Sequence, residues 1–295
     1  MRASTILENE VLRIAVSNEN GNIESIHFKD ISEDLIKEPR LAANFQINLQ
    51  TEEREANYIF GKCQKLTSIE KGENSLNLFW KGPLKNELGE HDLDVSMAIT
   101  LVDDQISFQV SAENRTDSDF SEVWAPIIGG INGLGERKDT KAMIPMNGES
   151  AGEDLFTHFH APMELGLPIP EVSYSYPGEM GVQWFDFYNE KINRGVYFAC
   201  YDTEPRFKSI RFELEPGAAH FREDNWPKPE DFDKDLPIGM NMNWVFFPYT
   251  KKGDTFVSPP LVIKYHEGNW ENAPNFYEKW FRENFKIVNP EMAKR

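Results

Sequence analysis

Only two of the 295 residues are cysteine, Cys63 and Cys200, too few for a disulfide framework or a cysteine-rich zinc module. Cys200 lies in the apolar run VYFACY and reads as a buried free thiol. No apolar run approaches the roughly 18 residues of a membrane span. The opening MRASTILENEVLRIAV lacks the basic, apolar and small-residue succession of a secretion signal. A soluble chain is expected, its compartment left open. Positive charge is scarce: 31 Lys and Arg stand against 49 Asp and Glu, a net charge of −18. Such a field repels phosphate backbones and anionic bilayers, so neither nucleic acid nor membrane is expected as a partner, whereas neutral ligands such as sugars stay open. There is no G-x-S-x-G elbow, no phosphate-binding glycine loop and no dinucleotide fingerprint, and GGINGLGE at 129–136 opens no helix. No cofactor is expected. The single sequon, Asn114-Arg115-Thr116, is a chance-level match.

What is abundant points to an ordered β protein. Hydrophobic residues at 40% and aromatics at 13% are values of a folded chain rather than a disordered one. Runs with period-two alternation recur from the start, among them VLRIAV, NFQINL, SLNLFW, DVSMAITL, QISFQVSA and EVWAPIIGG, and hairpin-like punctuation such as Asn20-Gly21 and Asp103-Asp104 separates them. Between Gly129 and Gly181 the alternation fades into a Gly- and Pro-dense stretch that reads as long functional loops. Strands resume with GVQWFDFY, GVYFACYD, KSIRFELE, MNWVFFPY and PPLVIKYHEG, with an irregular stretch, REDNWPKPEDFDKDLPIGMN, among them. From Asn269 the spacing of Trp270, Ala273, Tyr277 and Trp280/Phe281, with an Asn cap and a proline in the first turns, predicts one amphipathic helix over about 270–284. The expected fold is all-β and antiparallel, a sandwich at 1–268 followed by a helix and tail at 269–295 packed on it.

Four features carry candidate chemistry. In GVQWFDFY, one strand face holds Val182, Trp184, Asp186 and Tyr188 and the other Gln183, Phe185 and Phe187. Aromatics beside a carboxylate suit a sugar, whose C–H faces pack on rings and whose hydroxyls bond acids. The same pattern also fits a Trp filling an interlayer gap beside a paired Asp. His158 and His160, two apart, point the same way on an extended segment, a spacing for acid/base work. The neighbouring Glu153, Asp154 and Glu164 have no recognisable ligand spacing, so no metal is expected. Asp231, Asp233 and Asp235 alternate like the start of a calcium loop, but Leu236 stands where the turn needs glycine, and a solvated acidic loop is expected. Trp226, between Asn225 and Pro227, is either a core anchor or a ligand platform.

The opening NEVLRIAVSNENGNIESI, the DVSMAITL with its NRTD turn, the YPGEMGVQWFDFY with its GVYFACYD partner, and the closing GNWENAPNFYEKW together resemble one known module. It is the amino-terminal β-supersandwich, galactose-mutarotase-like in fold, of a large glycosidase-like family of uncharacterised function, and the resemblance covers nearly the whole chain. It implies a carbohydrate-associated domain accessory to polysaccharide degradation, with oligo- or polysaccharide as ligand and a barrel catalytic domain in cis, because in that family the closing helix leads to a barrel. The sequence given stops at Arg295. Mutarotases and several polysaccharide lyases share the fold and work with a His and an acidic or Tyr partner. The alternative is therefore a self-sufficient epimerase or lyase using His158 or His160. Trp184, Asp186, Tyr188 and Trp226 are the candidate ligand contacts on either reading.

Overall fold

The computed structural model of the chain describes residues 3–51, 57–146, 148–149, 154–159, 161–162, 168–169, 171–215 and 237–286. Two large antiparallel sheets dominate. The ten-stranded one includes, as neighbours, Trp184–Asn189, Arg194–Cys200, Leu261–Glu267, Gln105–Asn114, Leu93–Val102 and Ser75–Trp80. The six-stranded one runs Glu171–Tyr176, Lys208–Glu215, Gly239–Phe246, Phe120–Ile131, Gln46–Leu49, Asn57–Phe60. A four-stranded sheet from Ser4–Glu8 to Glu33–Asp34 joins them in one apolar cluster. The chain has the all-β, antiparallel architecture expected of it.

Alternation is realised most plainly where Leu93–Val102 pairs with Gln105–Asn114 from Leu93↔Asn114 to Val102↔Gln105, every second side chain buried. Asp103 takes the left-handed φ of 51° that closes this hairpin. The two large sheets meet through aromatics: Phe212 of the six-stranded sheet lies edge-on to Phe185 of the ten-stranded one, centroids 5.0 Å apart, and Phe159 stacks on Phe212 at 4.3 Å. Cys200 is a buried free thiol, as its apolar run implied, and burial pushes it up to about 12. The Gly- and Pro-dense stretch is less irregular than its composition implies. Glu171–Tyr176 forms an edge strand and Lys141–Ile144 pairs with Trp184–Asn189, because each borrows its ladder from a strong neighbour. Among the described residues no helix is long and apolar enough to cross a membrane.

Among the described residues, Ala273–Asn284 is the one helix longer than a single turn, and a 3-10 turn at Trp270–Asn272 leads into it. The Asn269 side chain caps that turn by accepting the Glu271 N–H at 3.1 Å. The helix lies on the outer face of the ten-stranded sheet. Ala273 is fully buried against Trp184, Tyr197 and Ala199, Phe276 lies 5.6 Å from Tyr197, and Trp280 stacks on Tyr201 at 4.7 Å. Trp184, Asp186 and Tyr188 therefore lie in a covered layer. Trp184 is 6% exposed and Asp186 is fully buried.

Burial forces the carboxylate of Asp186 to find a partner. His266 supplies it, Nε2 to Oδ2 at 2.8 Å, and Gly195 makes room, since a Cβ there would stand 2.3 Å from the His266 ring. Burial raises the Asp186 carboxyl to about 6, although the His266 hydrogen bond pulls the other way. For His266 burial lowers the value, but the hydrogen bond and charge of Asp186 outweigh it and leave the imidazole above its ordinary value. Both groups hold a proton more tightly folded than unfolded. Their contribution to stability is thus complete below the unfolded carboxylate value and is lost as pH rises through about 6 and the raised histidine value.

Two outcomes follow. Trp184→Ala should lower unfolding free energy by about 3–5 kcal/mol in urea titrations, as for a buried Trp, while Phe281→Ala on the exposed side of the helix should change it by less than about 0.5 kcal/mol. The melting temperature of the wild type relative to Asp186→Asn should fall as pH rises from about 4 through about 6 and on through the raised histidine value. A difference that stays flat or rises with pH would contradict the shared proton.

Candidate functional site

Two adjacent strands build the site. In Lys208–Glu215, Ile210, Phe212 and Leu214 point into the sandwich, which leaves Arg211, Glu213 and Glu215 on the outer face. In Gly239–Phe246, Met240, Met242 and Trp244 point inward and Asn241 and Asn243 outward. The register sets Arg211 opposite Asn243 and Glu213 opposite Asn241, so polar residues fall into two rows across the sheet. Glu171 extends one row from the edge strand, opposite Glu213. Ile127 extends the other, and a bulge between Trp124 and Ile127 keeps Trp124 on the same face. Tyr58 closes the far side.

Tyr58, Trp124, Ile127, Arg211, Glu213, Asn241 and Asn243, with Lys62 beside them, line a cavity of about 120 Å³ that Glu171 and Glu215 border. Its wall at the Asn241 end is the turn at Pro39–Leu41, which passes so close that a Cβ on Gly129 would stand 1.9 Å from the Leu41 carbonyl oxygen. Glycine there is what lets a second backbone close the cavity.

Hydrogen bonds fix most of the lining. Glu122 Oε2 accepts from Trp124 Nε1 at 2.7 Å and from the Tyr58 hydroxyl at 3.2 Å, and the two rings meet edge-to-face at 5.6 Å. Arg211 donates through Nε to Glu171 Oε1 at 2.6 Å and reaches Glu213 Oε2 at 3.2 Å. Its guanidinium also lies 4.5 Å over the Trp124 ring. Burial pulls the Arg211 guanidinium down, but its two carboxylates more than compensate and it stays charged. Asn241 donates to Glu215 at 2.7 Å. The Oδ1 atoms of Asn241 and Asn243, residues 7% and 3% exposed, accept no hydrogen bond within the described protein. Two buried acceptors without donors line one cavity, where such groups are ordinarily bonded.

The residues anticipated from sequence lie elsewhere. Trp184, Asp186 and Tyr188 sit on the other sheet beneath the helix. Tyr188 is 1% exposed and its hydroxyl donates to Glu149, so all three side chains of this face are buried by packing. His158 ends the single turn Leu155–His158 and does not line the cavity; burial lowers its imidazole below the ordinary value. His160 and Trp226, and with them Glu153, Glu164, Asp231, Asp233 and Asp235, lie outside the described residues. Among the described residues no three His, Cys, Asp or Glu cluster as a metal site would require. Arg211, Glu213, Asn241, Asn243, Trp124 and Tyr58 went unnoticed in the sequence. The available signal was the strict alternation of charged or amide side chains with large apolar ones in IRFELE and MNMNW.

No protein-family model matches the chain, and no curated protein matches it. Solved structures do. A GalM/aldose epimerase homologue from C. elegans superposes with a TM-score of 0.59 at 9% identity, covering 90% of this chain and 100% of that one. A putative aldose 1-epimerase from Escherichia coli K12 gives a TM-score of 0.55 at 12% identity, over 90% and 99% of the two chains. The fold is galactose mutarotase-like. A galactose mutarotase related enzyme from Lactobacillus acidophilus, with a TM-score of 0.54 at 15% identity, agrees over 90% and 98%. At these identities the likeness is one of fold.

Arg211 ties the site's charges together. Arg211→Met should cost about 3 kcal/mol in chemical denaturation, the low end for breaking a buried pair because Glu171 is 34% exposed. Arg211→Lys, which keeps the charge but loses the fork, should recover part of it.

Proposed function

We propose that the cleft on the six-stranded sheet binds a neutral carbohydrate, and that the protein is a carbohydrate-associated supersandwich acting beside a glycoside hydrolase-like catalytic domain. The observation that carries this reading is the pair of buried acceptors without donors, Asn241 Oδ1 and Asn243 Oδ1, on residues that line one cavity together with Trp124 and Tyr58. A ligand that satisfies them must donate hydrogen bonds and offer an apolar face to a ring, and a pyranose does both. The charges argue against an anionic glycan. Glu122, Glu171, Glu213 and Glu215 surround the site against two cations, Lys62 and Arg211, and Arg211 is already held by two of the carboxylates. Sequence resemblance supports the glycosidase association.

A second reading has one specific support. Glu213 stands on the cavity wall, so a bound sugar would meet a carboxylate able to act as a general base, and the named structural neighbours include a putative aldose 1-epimerase. On that reading the protein exchanges sugar anomers.

Calorimetric titration with neutral sugars tests the first reading, and polarimetry of freshly dissolved α-anomers tests the second. Binding that weakens at least tenfold in Trp124→Ala and in Asn243→Ala, without acceleration of anomer exchange, is expected for the accessory role. Exchange that is accelerated by the wild type and abolished in Glu213→Gln would establish the epimerase instead.

A further inference from the structure

The outer face that carries the cavity continues beyond it along the same two strands. Lys208 pairs with Phe246, so Phe207 and Phe247, the next residues outward, stand opposite one another, and their rings lie 5.3 Å apart at an interplanar angle of 42°. Phe207 has the parity of Ser209, Arg211 and Glu213, and Phe247 that of Val245, Asn243 and Asn241, which puts both rings on the cleft face. Between them and the cavity lies the row Ser209–Val245–Trp124, whose indole supports the Arg211 guanidinium. Ser209 and Val245 in that row are themselves buried, so the link between the two ends runs over the side chains around them.

Exposure sets this pair apart. Phe207 is 55% exposed and Phe247 half-buried, in a chain whose other phenylalanines mostly fill the core. Two residues on, Tyr249 is 57% exposed and held at a φ of +49°, a backbone conformation uncommon for a bulky side chain. Six residues of strand separate Phe207 from Glu213, about 20 Å at the usual rise per residue. No single pyranose ring covers that distance.

We propose that Phe207 and Phe247 form a second, aromatic subsite of the same cleft, and that its ligand is a neutral oligosaccharide spanning both. The inference rests on the sugar reading above and extends it. One sugar unit would occupy the cavity, donating hydroxyls to Asn241 and Asn243, and a later unit would lay its C–H face on the phenylalanine pair. The polar end sets which sugar is recognised. The aromatic end accepts any pyranose face and supplies affinity that grows with chain length.

The test is a calorimetric series with glucose and galactose and with their unbranched neutral oligomers of increasing length, on the wild type, Phe207→Ala, Phe207→Trp and, as an exposed aromatic elsewhere, Phe281→Ala. Wild-type affinity should rise with length. Phe207→Ala should lower affinity for the longer oligomers about tenfold, with a loss that grows with length, Phe207→Trp should keep it, and Phe281→Ala should behave as wild type. Affinity that is independent of length, or a Phe207→Ala loss equal at every length, would overturn the subsite while leaving the cavity as a single-sugar site. Binding by none of the sugars would remove the carbohydrate reading and the subsite with it.

Discussion

The register between Lys208–Glu215 and Gly239–Phe246 is the constraint on which both the core and the candidate site depend. Each strand alternates large apolar with polar residues, so one pairing buries Phe212, Met242 and Trp244 and at the same time aligns Arg211 with Asn243 and Glu213 with Asn241. A slip by one residue would turn the charged row of Lys208–Glu215 or the amides of Gly239–Phe246 into the sandwich, where unpaired charged and polar groups are costly to bury. Packing thus fixes the geometry of the polar face. Nothing on the outer face needs to specify its own register.

The ten-stranded sheet meets a different requirement. Near Trp184–Asn189 both of its faces are apolar: Phe185 and Phe187 face the sandwich, while Trp184 and Tyr197 face outward. An outward face of that kind must be covered, and the helix at Ala273–Asn284 covers it with Ala273, Phe276 and Trp280. Asp186 lies in the covered layer as a consequence of strand parity. Its bond to His266 and the glycine at 195 are the accommodations that parity demands. Carboxylates therefore occur on the outer faces of both sheets, in opposite circumstances. Asp186 is sealed with one partner, whereas Glu213 and Glu171 line or border an open cavity.

The strands and the closing helix were legible in the sequence because each has its own local period, two in QISFQVSA and helical in NWENAPNFYEKW. The Glu171–Tyr176 strand was not, since its identity comes from the Arg211 strand it pairs with rather than from its own composition. The site was legible only in part. GVQWFDFY and IRFELE both alternate polar or aromatic residues with core ones, and local pattern does not say which sheet face remains open. That depends on the order of strands, in which residues near 46, 58, 124, 211 and 241 become neighbours although the chain separates them widely. Beside the alternation in IRFELE, a local hint was the amides at Asn241 and Asn243 in a strand otherwise made of Gly, Met, Trp, Val and Phe. An amide at such a position has a use only if something on that face bonds to it.

How the cleft is held bears on what it can recognise. Glu122 bonds both Trp124 and Tyr58, and Arg211 is clamped between Glu171, Glu213 and the Trp124 ring, so these aromatic walls and the guanidinium are fixed by protein contacts alone. A wall that is already ordered loses little side-chain freedom when a ligand arrives, which leaves more of the contact energy as affinity. It also limits chemistry. Arg211, one of two cations on the lining with Lys62, is already engaged by two carboxylates, which leaves its guanidinium less to offer an anionic ligand. On the carbohydrate reading proposed above, that internal pairing and the net charge of −18 around it both favour neutral, hydroxyl-bearing ligands.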